Sequence, residues 1–164
     1  MITISQATSK DIPIIQEIAH ITWPITYGSI LSKAQLDYMM DLMYSDASLL
    51  EQLKTKPLFF LAQEVDSFLG FISCENNYHN NKVTRLHKIY ILPEAQGKGV
   101  GKALIEKVIA LAKENQSEVI SLNVNKFNKA VSFYKKIGFE IVAEEDLDIG
   151  NGYLMEDYKM ELKI

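Results

Sequence analysis

From Leu86 to Gly101 an apolar segment, Leu86-His87-Lys88-Ile89-Tyr90-Ile91-Leu92, meets Pro93 and then Gln96-Gly97-Lys98-Gly99-Val100-Gly101. This reads as a strand feeding a glycine-rich turn that opens into an amphipathic helix. Alternate glycines let the main chain approach a ligand and turn its N–H groups outward. The helix adds its unpaired N-terminal amides and the positive end of its dipole. Lys98 and Lys102 bring positive charge to the same place. The pattern predicts a phosphate or pyrophosphate site over Gln96, Gly97, Lys98, Gly99, Val100, Gly101 and Lys102.

Spacing separates the phosphate chemistries. A nucleoside-triphosphate loop needs Gly, four residues, Gly-Lys, then Ser or Thr. With Gly101-Lys102 as that pair, the first glycine falls on Gln96 and the hydroxyl on Ala103. A dinucleotide fingerprint needs Gly-x-Gly-x-x-Gly in the first strand–helix unit. Here the spacing is Gly-x-Gly-x-Gly, past the middle of the chain.

The third option matches residue by residue. Gln96-x-x-Gly99-x-Gly101, straight after Ile89-Tyr90-Ile91-Leu92-Pro93, resembles the acetyl-coenzyme A motif of the GCN5-related N-acetyltransferase (GNAT) superfamily. Downstream, Asn128-Lys129-Ala130-Val131-Ser132-Phe133-Tyr134-Lys135-Lys136-Ile137-Gly138-Phe139 is similar to that family's helix-and-tyrosine segment. The two motifs keep the family's order, and looser similarity runs from Ile4 to the C-terminus. The resemblance implies an α/β (α+β) fold with a mixed, mostly antiparallel sheet flanked by helices. It also implies a splayed strand pair at the cofactor site and one N-acetyltransferase domain over residues 1–164.

It assigns roles as well. Acetyl-CoA is the expected cosubstrate, its pantetheine arm paired with the main chain of Ile89, Tyr90 and Ile91, with the Ile91 amide polarising the carbonyl. Tyr134 matches the tyrosine that hydrogen-bonds or protonates the coenzyme sulfur. It also falls on the stripe Ala130, Phe133, Tyr134, Ile137, which packing alone would explain. Asn128 is the expected coenzyme contact, with Asn125 as its rival; either could instead cap a helix. His87 stands where some members carry a glutamate base, and strand alternation puts it on the side of Ile89 and Ile91. A hydrogen-bonded structural histidine is the competing reading.

For the acceptor, the resemblance points to Trp23, Tyr27, Asp37 and Tyr38 on one side and Asp148–Tyr153 on the other. Aromatics with carboxylates suit a cationic amine. The expected acceptor is a primary amine, either a polyamine-like small molecule or a protein or peptide N-terminus, attacking directly. The alternative is a catalytically silent module that binds or senses coenzyme A.

Composition sets the outer bounds. With 164 residues and a formal net charge of −4, the chain has no basic footprint, so nucleic acid is not an expected partner. Its apolar runs are too short to cross a bilayer and its N-terminus lacks a signal-peptide layout, so no membrane partner is expected. One cysteine, Cys74, allows no internal disulfide and agrees with a reducing cytoplasm. His20, His79 and His87 have no metal-ligand spacing, so no metal is expected. A homodimer is left open.

The positioning elements follow from periodicity. Ile2–Ile4 reads as a strand, Thr8–Asp11 as a helix start, and Ile12, Ile15, Ile18 and Ala19 as its buried stripe. Pro24 and Gly28 are expected to end that helix early. Further helices are predicted at 32–43, 46–54, from Val100 to near Asn115, and 128–137, with Gly138 capping the last. Strands are predicted at 58–62, 68–74, 86–92, 119–124, 139–143 and 158–162, the last two joined by an acidic loop.

Overall fold

Thr8 starts the first helical segment as the sequence predicts. Its hydroxyl accepts from the Lys10 amide, and its own amide donates to Asp11 Oδ2 at 2.9 Å, a reciprocal cap. In the computed structural model, which describes residues 1–164, helix α1 then runs from Ile12 to Tyr27. It continues through Pro24, against expectation. A proline inside a helix removes one N–H and costs about 3 kcal/mol. Buried Trp23 and Tyr27 on either side hold the turn against the sheet.

Helices α2 (Lys33–Tyr44) and α3 (Asp46–Lys54) each begin at a serine whose hydroxyl accepts a main-chain N–H. With α1 they cover one face of a seven-stranded sheet ordered β1-β2-β3-β4-β5-β7-β6. The strands are β1 (Thr3–Gln6), β2 (Leu58–Glu64), β3 (Ser67–Glu75), β4 (Val83–Ile91), β5 (Val119–Asn125), β6 (Glu140–Gly150) and β7 (Tyr153–Lys163). Helices α4 (Val100–Glu114) and α5 (Ala130–Ile137) pack on the other face. Every strand pair is antiparallel except β4–β5. The mixed, mostly antiparallel sheet flanked by helices is the architecture expected.

Several predicted boundaries move, β4 starting at Val83 rather than Leu86 among them, and two changes bear on the site. Helix α5 begins at Ala130 rather than Asn128. The supposed acidic loop after Ala143 is instead a long hairpin of two eleven-residue strands. Its turn is Asn151-Gly152, both with positive φ (56° and 79°), the tight hairpin turn that this dipeptide favours. Pairing from Glu140↔Glu161 to Gly150↔Tyr153, broken only by irregularities at Ile141/Ala143 and Asp148/Gly150, satisfies a backbone whose acidic side chains remain mostly in water.

Candidate active site

Strands β4 and β5 pair in parallel only from Val83↔Val119 to Leu86↔Leu122. Beyond that rung, β4 remains paired with β3 through Ile91, and β5 remains paired with β7 through Asn125. The two strands therefore part, as the splayed pair was expected to do. Across the remaining edge, the Leu92 amide donates to Leu69 O at 2.8 Å. Main-chain groups alternate sides along a strand. The N–H and C=O groups of Ile89 and Ile91 thus face the gap, while those of Tyr90 face β3. Of the three residues expected to offer main chain, Tyr90 does not. Its side chain acts instead, its hydroxyl 3.0 Å from that of Tyr27.

The glycine turn divides its labour. Gly97 and Gly99 have φ of +79° and +80°, and a β carbon built on either would meet nothing within 4 Å. The amides of Gly97, Gly99, Val100, Gly101 and Lys102 donate to no main-chain carbonyl. A row of free N–H groups at a helix start, beside open space, fits a pyrophosphate. Lys98 and Lys102 stand exposed beside it, and Gln96 ties the turn back by donating to Ile91 O at 3.3 Å. Gly101 has a different reason from the one expected. A β carbon there would lie 2.9 Å from Ile91 Cδ1 and 3.0 Å from Phe133 Cζ, so this glycine lets α4 pack closely. Val100 is likewise a buried core side chain.

Tyr134 is 5 % exposed, edge-on to Phe139 at 5.7 Å, and belongs to the core on the α4–α5 side. Its hydroxyl has no hydrogen bond within the protein, unlike those of Tyr27, Tyr38 and Tyr90. Burial first, and the nearby Tyr27 second, push its pKa well up, which keeps the phenol protonated. Asn128 Oδ1 accepts from the Ala130 amide at 2.9 Å, and Asn125 Oδ1 accepts from the Phe127 amide at 2.9 Å. Both asparagines are therefore turn residues. Asn128 still has its amide nitrogen to offer, close enough to influence the Tyr27 hydroxyl.

His87 does not share the face of Ile89 and Ile91. The pairs Cys74↔Leu86 and Ser73↔Lys88 leave it as the extra residue of a β-bulge, which interrupts alternation. Its Nε2 lies 3.1 Å from Glu75 Oε1, its ring stands edge-on to Tyr78, and 26 % of its side chain is exposed. Desolvation lowers its pKa, with Glu75 opposing and Lys88 and Arg85 adding to the fall.

On the acceptor side, Trp23 and Tyr27 are buried in an aromatic cluster with Tyr44, Phe71 and Tyr90. Trp23 is thus core rather than a wall. Tyr38 does meet the hairpin as expected, donating to Ile149 O at 3.0 Å with its ring 5.4 Å from that of Tyr153. Asp37 is spent on an exposed pair with Lys33. Sequence reasoning missed a polar group under the gap. Arg85 donates to Asn123 Oδ1 at 2.6 Å and to Ser121 Oγ at 3.3 Å. Asn123 donates to Glu145 Oε2 at 2.9 Å and Asp157 Oδ2 at 3.4 Å. An acid placed among Met155, Tyr158 and Met160 is the signal that could have found Asp157.

With this geometry in view, the comparisons agree. Residues 15–139 match the acetyltransferase (GNAT) family model, so the chain belongs to that family. It is 29 % identical over 161 residues to the spermidine N(1)-acetyltransferase of Thermoplasma acidophilum, covering 94 % of this chain and 96 % of that one. It is 31 % identical over 99 residues to the peptidyl-lysine N-acetyltransferase of Escherichia coli, covering 59 % of each. Several curated relatives are matched over only 38 to 59 % of their own length. The crystal structure of the PaiA N-acetyltransferase from T. acidophilum in complex with coenzyme A superimposes with a TM-score of 0.85 at 26 % identity. That superposition covers 100 % of this chain and 99 % of the other.

Proposed function

We propose that the chain transfers an acetyl group from acetyl-CoA to a primary amine by direct attack, without a covalent enzyme intermediate. The observation that carries this reading is the gap between β4 and β5, edged by the free main chain of Ile89 and the free N–H of Ile91. When bound, acetyl-CoA supplies an activated thioester carbonyl. The free amides from Gly97 to Lys102 hold the pyrophosphate, helped by the charge of Lys98 and Lys102. The Ile91 N–H, fixed by the β3 ladder, donates to the carbonyl oxygen where negative charge develops. Tyr134, protonated and without a partner in the protein, donates to the departing sulfur. Asn128 offers its side-chain amide to the coenzyme arm. His87, held by Glu75 and Tyr78, is assigned a structural role.

For the acceptor, the two named relatives act on spermidine and on peptidyl-lysine, both bearing primary amines. A polyamine-like molecule or a protein or peptide amine, including an N-terminus, is the class we assign. The test is titration calorimetry with acetyl-CoA, followed by thiol release on spermidine, lysine peptides and peptides with free N-termini. Binding with release on one of these supports the reading. Binding without release on any amine would favour a silent coenzyme A-binding module, and no binding would overturn both.

A further inference from the structure

Asp157 is 6 % exposed, and its Oδ1 has no hydrogen-bond partner. It lies on β7 opposite Asn125, three residues past the last rung between β4 and β5. Its charge reaches the Tyr27 hydroxyl, and Tyr27 in turn influences Tyr134. Met155, two residues earlier on the same face of β7, packs in the α1-side core, so the carboxylate sits on the α1 side of the sheet, within reach of Tyr27.

The charges around it are unbalanced. Glu145 pairs across from Asp157 on β6, and the two carboxylates share a single donor, Asn123 Nδ2. The Arg85 guanidinium faces them but spends its hydrogen bonds on Ser121 and Asn123 rather than on either carboxylate, and Lys159, opposite Asn123 on the same face of β7, makes no ion pair with either. No cation pairs directly with Asp157, which leaves its charge without a contact partner and a buried oxygen without a donor. A primary ammonium supplies both missing elements, positive charge and three N–H donors.

We propose that Asp157, with Glu145 beside it, is the subsite for the acceptor's ammonium group, and that Asp157 Oδ1 takes its first proton. This rests on reading the chain as an amine acetyltransferase. An N–H bond breaks with its electron pair left on nitrogen, and an O–H bond forms at Oδ1. The freed lone pair then attacks the thioester carbonyl of acetyl-CoA. The second proton that nitrogen sheds in becoming an amide balances the one taken up by the departing sulfur. Burial raises the Asp157 pKa, Asn123 and Arg85 oppose it, and Glu145 adds to the rise, which makes it a stronger base than an ordinary aspartate.

The test uses carboxylate ¹³C NMR and calorimetry on the wild-type protein and Asp157→Asn, with coenzyme A present and spermidine or butylamine as probe. In the wild type, amine should shift the Asp157 signal and lower its titration midpoint, since a bound cation favours the carboxylate. Asp157→Asn should keep its melting temperature and acetyl-CoA affinity. It should lose amine affinity about tenfold or more, and lose the acidic limb of the kcat/KM profile. An Asp157 signal indifferent to both amines, or a variant with wild-type amine affinity and pH profile, overturns the proposal. If that variant does not fold, Glu145→Gln replaces it, with unchanged amine affinity as the contrary result. Acetyl-CoA binding and thiol release judge the enzymatic reading separately. An amine response without thiol release on any amine condemns that reading alone, and release with Asp157 indifferent condemns this subsite alone.

Discussion

Phe133 stands with its ring edge 3.0 Å from where a β carbon on Gly101 would be, while the space beside Gly99, two residues earlier, is empty. One glycine of the turn is needed by the core and the other by what lies outside it. Substitutions should separate the two demands.

Gly99→Asp places a carboxylate among five free amides, at a left-handed position that aspartate tolerates better than most residues. Acetyl-CoA affinity should fall by roughly 10²-fold or more, equivalent to losing about 3 kcal/mol. Gly101→Ala should do the reverse, destabilising by about 1–3 kcal/mol through overpacking against Ile91 and Phe133. Calorimetry and urea unfolding on both variants check this. A Gly99→Asp protein that folds and binds normally would place the cofactor elsewhere.

Tyr134→Phe keeps the ring and its contacts with Phe133 and Phe139. Because the hydroxyl bonds to nothing in the protein, melting temperature and acetyl-CoA affinity should barely move. Turnover should drop by roughly 10²–10⁴-fold if the hydroxyl serves the departing sulfur. Near-wild-type turnover, measured where chemistry is rate-limiting, would make Tyr134 a core aromatic only.

His87→Ala removes a partly exposed pair with Glu75. Stability should fall by about 0.2–1 kcal/mol and turnover should hold steady. A turnover loss at neutral and higher pH, with the acidic limb of the wild-type profile gone, would restore histidine as the base.

Lys88 is a buried ammonium on the Phe59 face, donating to Gln52 Oε1 at 2.6 Å, and burial lowers its pKa from 10.5 to about 8. In the unfolded chain it keeps its proton up to about pH 10.4; folded, it releases it near 8. The unfolded state therefore binds more protons between these values, and stability rises with pH across that window. Relative to Lys88→Met, the wild type should lose ground as pH falls from about 10 to 8 and level off below. The total is of order 3 kcal/mol. A pH-independent gap between the two proteins, by urea unfolding, would refute the shift.

The glycine turn was legible because left-handed backbone and free helix amides leave a mark in residue type. Alternation and helical spacing likewise placed most strands and helices. The face of His87 was not legible, because a bulge depends on how β3 registers against β4. Pro24 misled for a related reason: the packing of Trp23 and Tyr27 on the sheet outweighs a local preference. The acidic strand β6 carries few apolar residues to announce it, and only Asn151-Gly152 gave it away. Asp157 gained its meaning from Asn123, Glu145 and Arg85, which lie on three other strands.

The four-residue parallel ladder between β4 and β5 leaves the sheet in two panels, β1 to β4 and β5, β7, β6, joined at one seam. Leu86 and Leu122 close that seam, and Arg85 spans it just before its end, like a strut set at the corner of an open book. The angle between the panels is thus tied to the same guanidinium that faces Asp157 and Glu145. Main chain closes the seam over only four residue pairs, so the parting of the panels is braced at its start by one side chain as well as by the ladder.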